Sequence, residues 1–169
     1  MRRVLVLGSG GAGKSTFARQ LARRLQLPVI HLDAFFWQSG WVQASLDEFD
    51  AALGRALDRD GWVMDGNYTR TLPRRAAVCD TIVFLDIAPA ICVWRLLKRR
   101  LLYAGKTRPD MPDRCPERLD WEFLIWVWTY PRHSRPQILE CMATLRRDQR
   151  AVTLRTSTDI ENFLNQFPS

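Results

Sequence analysis

The chain has 169 residues and a mass of 19.6 kDa, enough for one domain with a sizeable core and too few for two comfortable ones. Hydrophobic residues make up 47% and charged residues 25%, and no run approaches the roughly eighteen apolar residues of a membrane span, so an integral membrane protein is excluded and a soluble one expected. The net charge is +7, and only three of the 25 basic residues are lysine. Such a bias follows from codon composition or from phosphate recognition by guanidinium groups, and only the positions of the arginines can decide between them.

Val4 to Leu7 reads as a buried strand, and Ser15 to Leu25 as a helix with apolar positions at Phe17, Ala18, Leu21, Ala22 and Leu25. Leu27 to Leu32 predicts a second strand ending at Asp33. Leu46, Phe49, Leu53 and Leu57 set a helical period that Gly61 stops. Trp62 to Met64 predicts a third strand and Thr81 to Leu85 a fourth, ending in Asp65-Gly66 and Asp86. A helix is expected from about Pro89 to Tyr103, then a mobile lid over about 104–118 that carries Gly105, Pro109, Pro112 and Pro116. Glu117 to Tyr130 and Ser134 to Arg147 read as two helices parted at Pro131. Ala151 to Leu154 is a fifth strand, and a last helix falls near Thr158 to Phe167. The alternation predicts a single α/β domain over 1–169, a three-layer sandwich with a parallel sheet covered on both faces.

The N-terminus, Met-Arg-Arg and four apolar residues followed by glycines, does not read as a secretion signal, so a cytoplasmic location is expected. Cys79, Cys92, Cys115 and Cys141 lack a CxxC pair and read as reduced, packed thiols.

The segment from Gly8 to Ser15, GSGGAGKS, matches the phosphate-loop pattern G-x-x-x-x-G-K-[ST] between a strand and a helix. Glycines let backbone N–H groups turn inward around phosphate oxygens, and the helix start adds its positive end. Gly8, Gly10, Gly11, Ala12, Gly13, Lys14, Ser15 and Thr16 are the candidate nucleotide-binding set. Lys14 is to reach the β- and γ-phosphates, Ser15 to coordinate Mg²⁺, and Thr16 to support the α-phosphate. No Asn/Thr-Lys-x-Asp motif surrounds any of the lysines, so ATP is favoured over GTP.

Asp33, Asp65 and Asp86 each close a predicted strand, the end at which parallel sheets hold ligands. Asp65 is favoured over Asp86 as the carboxylate near Mg²⁺. Asp33 reads either as the base or acceptor ligand of a phosphoryl transfer, or as a helix cap or a structural hydrogen-bond partner. His31 reads as strand packing.

The stretches GSGGAGKST, VMDGNYTRT and DTIVFLDI followed by RLLKRR resemble adenylate kinase and its relatives. HLDAFFW, RPDM and CPERLDWEFLIW extend the resemblance to an adenylate-kinase-like family of P-loop NTPases, the bacterial topology modulation proteins, over nearly the whole chain. The resemblance implies a five-stranded sheet of order 2-3-1-4-5, Arg70 near the acceptor, and lid arginines that close over phosphates. Adenylate kinase has Asp-Gly-Phe-Pro-Arg-Thr, whereas this chain has one more residue between Asp65 and Arg70, a departure that bears on AMP as acceptor.

Arg99, Arg132 and Arg135 are candidates to stabilise the transferring phosphoryl group, against the alternative of solvated helix faces. Phe35, Phe36, Trp37 and Trp41 follow Asp33, where Trp37 could stack on a flat acceptor or the cluster could pack as core or dimer contact. Trp121, Trp126 and Trp128 read as core packing. Together these features predict an ATP- and Mg²⁺-dependent phosphotransferase, monomer or homodimer, acting on a small-molecule acceptor. The alternative is a nucleotide-switched DNA-binding protein or ATPase affecting DNA topology, for which no helix-turn-helix, zinc finger or RNA-binding signature is found.

Overall fold

The computed structural model describes residues 1–102 and 120–167. The expected lid lies outside them, with Arg108, Arg114, Arg118 and Cys115. In chain order the elements are β1 (Arg3–Gly8), α1 (Lys14–Leu25), β2 (Val29–His31), α2 (Asp33–Phe36), β3 (Trp37–Gln38), β4 (Val42–Gln43), α3 (Leu46–Leu57) and β5 (Trp62–Asp65). A 3-10 turn (Thr69–Thr71) then leads to α4 (Leu72–Val78), β6 (Thr81–Leu85), α5 (Pro89–Leu102), α6 (Trp121–Ala143), β7 (Arg150–Leu154) and α7 (Ser157–Leu164).

The main sheet is parallel, in the order β2-β5-β1-β6-β7, which is the expected 2-3-1-4-5 once the β3–β4 hairpin is set aside. Alternate residues of a strand point to opposite faces, so β1 divides its side chains between two cores. Val4 and Val6 pack with Phe17 and Leu21 of α1, Leu96 of α5 and Phe163 of α7. Leu5 and Leu7 pack with Phe49 and Leu53 of α3, Leu72 of α4 and Ile138 of α6. Because helices cover both faces, the central strands are continuous apolar runs and end together at the edge where the phosphate loop leaves β1.

Capping fixes several boundaries. Ser45 and Glu48 form a capping box at the start of α3, and Thr156 and Asp159 form one at α7. The sequence reading predicts a break at Pro131, yet α6 runs unbroken through both Pro131 and Pro136. An interior proline costs a helix about 3 kcal/mol through its lost hydrogen bond and the clash of its ring. Here Val127, Tyr130, Ser134 and Ile138 form one buried stripe along the helix, and that tertiary burial holds both halves in line. Neither α4 nor the hairpin is foreseen from the sequence, since seven residues and two pairs of residues are too short for a periodic signal. Among the described residues no helix is long and apolar enough to cross a membrane.

Candidate active site

At the carboxyl ends of β1, β2 and β5 lies a cavity of about 460 Å³, within the size range of small-molecule sites. Its floor is the loop between β1 and α1. Gly10, Gly11, Gly13, Lys14, Ser15 and Thr16 line it. Gly8 and Ala12 sit just beneath, Ala12 being fully packed. Gly11 has φ +78° and Gly13 φ +95°, left-handed values that favour glycine and turn the loop back on itself. A side chain at Gly11 would also run into the backbone of Cys92 in α5. Gly10 is just as confined from above, since a Cβ there would stand 2.6 Å from the ring of Phe123. Gly13 caps α1 without any side-chain hydrogen bond, so the first amides of that helix are left to whatever anion enters.

Lys14 is half-buried and donates from Nζ to the Ser9 carbonyl at 2.9 Å. Burial pulls its pKa down, while the negative charges of Asp65 and Asp33 push it back up. Both carboxylates therefore lie within electrostatic reach of the lysine, and both line the cavity. Arg19, Arg95 and Arg99 line it as well; Arg95 donates to the carbonyl of Ala12 at 3.2 Å and so lies across the loop.

Asp65 ends β5 and is 4% exposed. Its Oδ1 is 2.6 Å from His31 Nδ1 on β2, so the ring nitrogen that carries the proton is Nδ1 and the carboxylate accepts from it. The sequence reading of His31 as strand packing misses this pair. Ser15 and Asp65 offer the hard oxygen donors that suit Mg²⁺. Among the described residues no group of three or more His, Cys, Asp or Glu is placed to hold a metal ion. Asp86, the other candidate carboxylate, accepts two bonds from Arg135 at 2.9 Å each and lies outside the cavity lining.

Asp33 opens α2, but the cap position belongs to Leu32 and no side chain caps that helix. Its partner is instead Tyr68, whose hydroxyl donates to Asp33 Oδ1 at 2.8 Å. Burial and the charge of Asp33 push the Tyr68 pKa far up, so the phenol keeps its proton. Tyr68 packs against Phe36 and Phe49 at centroid distances of 5.2 and 5.1 Å. Beside it, Asn67 Oδ1 accepts from the N–H of Gly8 at 3.1 Å.

Other candidates stand apart from the cavity. Trp37 packs edge-on to Trp41 and Phe36 at the hairpin. Arg70 forms a two-pronged pair with Asp50 at 2.9 and 2.7 Å on the exposed rim. Arg132 is exposed on α6, and Arg135 is engaged by Asp86. Of the three arginines singled out by sequence, Arg99 is the one in the lining. The sequence reading misses Asn67 and Tyr68, although both lie inside the quoted VMDGNYTRT. Trp126 packs against both cores, as expected, and lines the cavity as well, whereas Trp121 and Trp128, also expected in the core, are exposed.

The sequence matches no protein-family model and no curated protein. The fold is nevertheless that of known P-loop kinases. A shikimate kinase from Acinetobacter baumannii, solved with shikimate, superposes with a TM-score of 0.66 at 13% identity, over 98% of this chain and 90% of that one. A shikimate kinase from Bacteroides thetaiotaomicron gives 0.59 at 18% identity, over 98% and 95%. A gluconokinase from Sinorhizobium meliloti gives 0.52 at 19%, over 98% and 88%.

Proposed function

We propose that the protein is an ATP- and Mg²⁺-dependent phosphotransferase whose acceptor is a hydroxyl group of a small molecule. The observation that carries this reading is a single cavity that contains the phosphate loop with Lys14 and, opposite, the carboxylate of Asp33. Among the described residues Tyr68 is the one hydrogen-bond donor to Asp33, at Oδ1, which leaves Oδ2 to take up a proton.

The loop amides, the start of α1 and Lys14 bind the β- and γ-phosphates. Mg²⁺, held by Ser15 and Asp65 together with phosphate oxygens, would neutralise charge on the β- and γ-oxygens. Asp33 receives the proton of the acceptor hydroxyl as its oxygen bonds to the γ-phosphorus, and the bond to the β-phosphate oxygen breaks to release ADP. Arg99 is the arginine assigned to the charge of the transferring group. A phosphate acceptor would need no base but would need cations around it. Arg70, the arginine expected beside such an acceptor, is occupied by Asp50. Kinship with the topology modulation proteins, carried by HLDAFFW and CPERLDWEFLIW, belongs to the same proposal.

The test is ADP release from Mg-ATP against shikimate, gluconate, nucleosides, nucleoside monophosphates, simple alcohols and duplex DNA, with products identified by mass spectrometry. A phosphorylated hydroxyl compound is the expected result. Transfer to nucleoside monophosphates alone would move the acceptor chemistry to phosphate. Stimulation by DNA with no phosphorylated product would replace the kinase by a DNA-linked ATPase.

A further inference from the structure

Arg75, on α4, is wholly buried, 0% exposed, and among the described residues no carboxylate forms an ion pair with it. Burial draws its pKa down to about 10, so it remains charged at neutral pH. An uncompensated buried cation is costly unless its N–H groups are bonded, and here four of the five donate to one short stretch, residues 66–71. Nη1 donates to the carbonyl of Gly66 at 2.9 Å, Nη2 to the carbonyls of Asn67 and Tyr68, the latter at 3.1 Å, and Nε to Thr71 Oγ1 at 3.2 Å.

The loop so held is unusual in its backbone. Gly66 has φ +131° and Tyr68 φ +33°, the second a left-handed value that a tyrosine adopts at a cost. The Tyr68 carbonyl is also gripped by the N–H and hydroxyl of Thr71, at 2.9 and 3.1 Å. From this one loop two side chains reach opposite parts of the cavity: Asn67 to the N–H of Gly8, where the phosphate loop begins, and Tyr68 to Asp33.

We propose that Arg75 is a positioning residue that, by fixing residues 66–68, ties the phosphate loop and the acceptor carboxylate to one rigid support. A lysine in its place keeps the charge but lacks the planar fork that reaches three carbonyls at once. The support takes its catalytic meaning from the phosphotransfer reading, but its test does not depend on that reading.

The experiment compares the full-length chain with Arg75→Gln, Arg75→Lys, Asn67→Ala and Tyr68→Phe by amide hydrogen exchange, Mg-ADP calorimetry and thermal midpoint. Both Arg75 variants are expected to exchange about tenfold faster at residues 66–71 while β1, β5 and β6 keep their protection, and to bind Mg-ADP about tenfold more weakly. Asn67→Ala reproduces the weaker Mg-ADP binding with residues 69–71 still protected. Tyr68→Phe speeds exchange at residues 33–36, and with any acceptor found it lowers kcat more than it raises the KM for ATP.

Wild-type exchange at 66–71 in a folded Arg75→Gln variant overturns the proposal. So does a uniform acceleration across all five strands that tracks the thermal midpoint, since that is the mark of a purely structural arginine. If neither Arg75 variant folds, the loop variants decide: wild-type Mg-ADP affinity in Asn67→Ala together with wild-type exchange at 33–36 in Tyr68→Phe overturns it. A protein that binds Mg-ADP but phosphorylates nothing defeats the phosphotransfer reading and leaves the exchange and affinity results to judge the support.

Discussion

The two sides of the cavity are built by different means. The side proposed to take the nucleotide is one continuous stretch, Gly8 to Thr16, which offers backbone amides and a helix end whose geometry the glycines secure locally. The side proposed to take the acceptor is assembled from side chains: Asp33 after β2, and Asn67 and Tyr68 in the loop beyond β5, to which Arg75 of α4 is bonded. A backbone site tolerates changes in most of its neighbours, whereas a side-chain site depends on each contact. The nucleotide side should therefore fail through one lysine, and the acceptor side by degrees through several residues.

Lys14→Met tests the first half of that contrast and should have the largest effect, a loss of turnover of about 10²–10³-fold or more in the ADP-release assay. Its effect on folding runs the other way. Burial lowers the folded-state pKa of Lys14, so its charge opposes folding below that pKa, and the opposition fades as pH rises toward the unfolded value. Calorimetry of the ligand-free variant at neutral pH should find a thermal midpoint no lower than wild type. A lower midpoint would show that the bond to Ser9 outweighs the burial cost.

Asp33→Asn comes next, with acceptor-dependent kcat reduced by about 10²–10⁴-fold and the KM for ATP little changed. A rate close to wild type would remove the base and point to a phosphate acceptor. Asp65→Asn should raise the Mg²⁺ concentration needed for half-maximal rate by about 10–100-fold, and excess EDTA should stop the wild-type reaction. The smallest effect is expected of Arg70→Ala, because its pair with Asp50 is exposed to solvent and outside the cavity. Its thermal midpoint and turnover should match wild type, and a raised acceptor KM would extend the acceptor side out to that rim.

The same contrast explains what could be read from the sequence. The phosphate loop and its flanking strand and helix are legible because pattern and geometry coincide within a dozen residues. Asp33 and Asp65 are legible as carboxylates at strand ends, the one place where the topology of a parallel sheet makes a residue's neighbourhood predictable. Tyr68 on Asp33, His31 on Asp65 and Asn67 on Gly8 are contacts between segments 34 to 59 residues apart, settled by packing and not by any local motif. Arg75 is hidden further still, since nothing in LPRRAAV distinguishes an arginine with no exposed surface from its neighbour Arg74, which is exposed. For α6 the proline rule is sound locally and is overruled by a buried stripe on the same helix.

The sheet order also has a consequence for how the protein is made. Of these five strands the first to leave the ribosome is the central one, and its two neighbours are β5, beginning at Trp62, and β6, ending at Leu85. Until Asp65 has emerged, the phosphate loop hangs from a strand with no partner, and the second partner is complete only at Leu85, about half-way along the chain. The far edge closes only when β7 arrives, at Arg150–Leu154. Such long-range pairings slow folding and leave apolar strands exposed meanwhile. The nascent chain thus carries its most recognisable motif long before it carries a site.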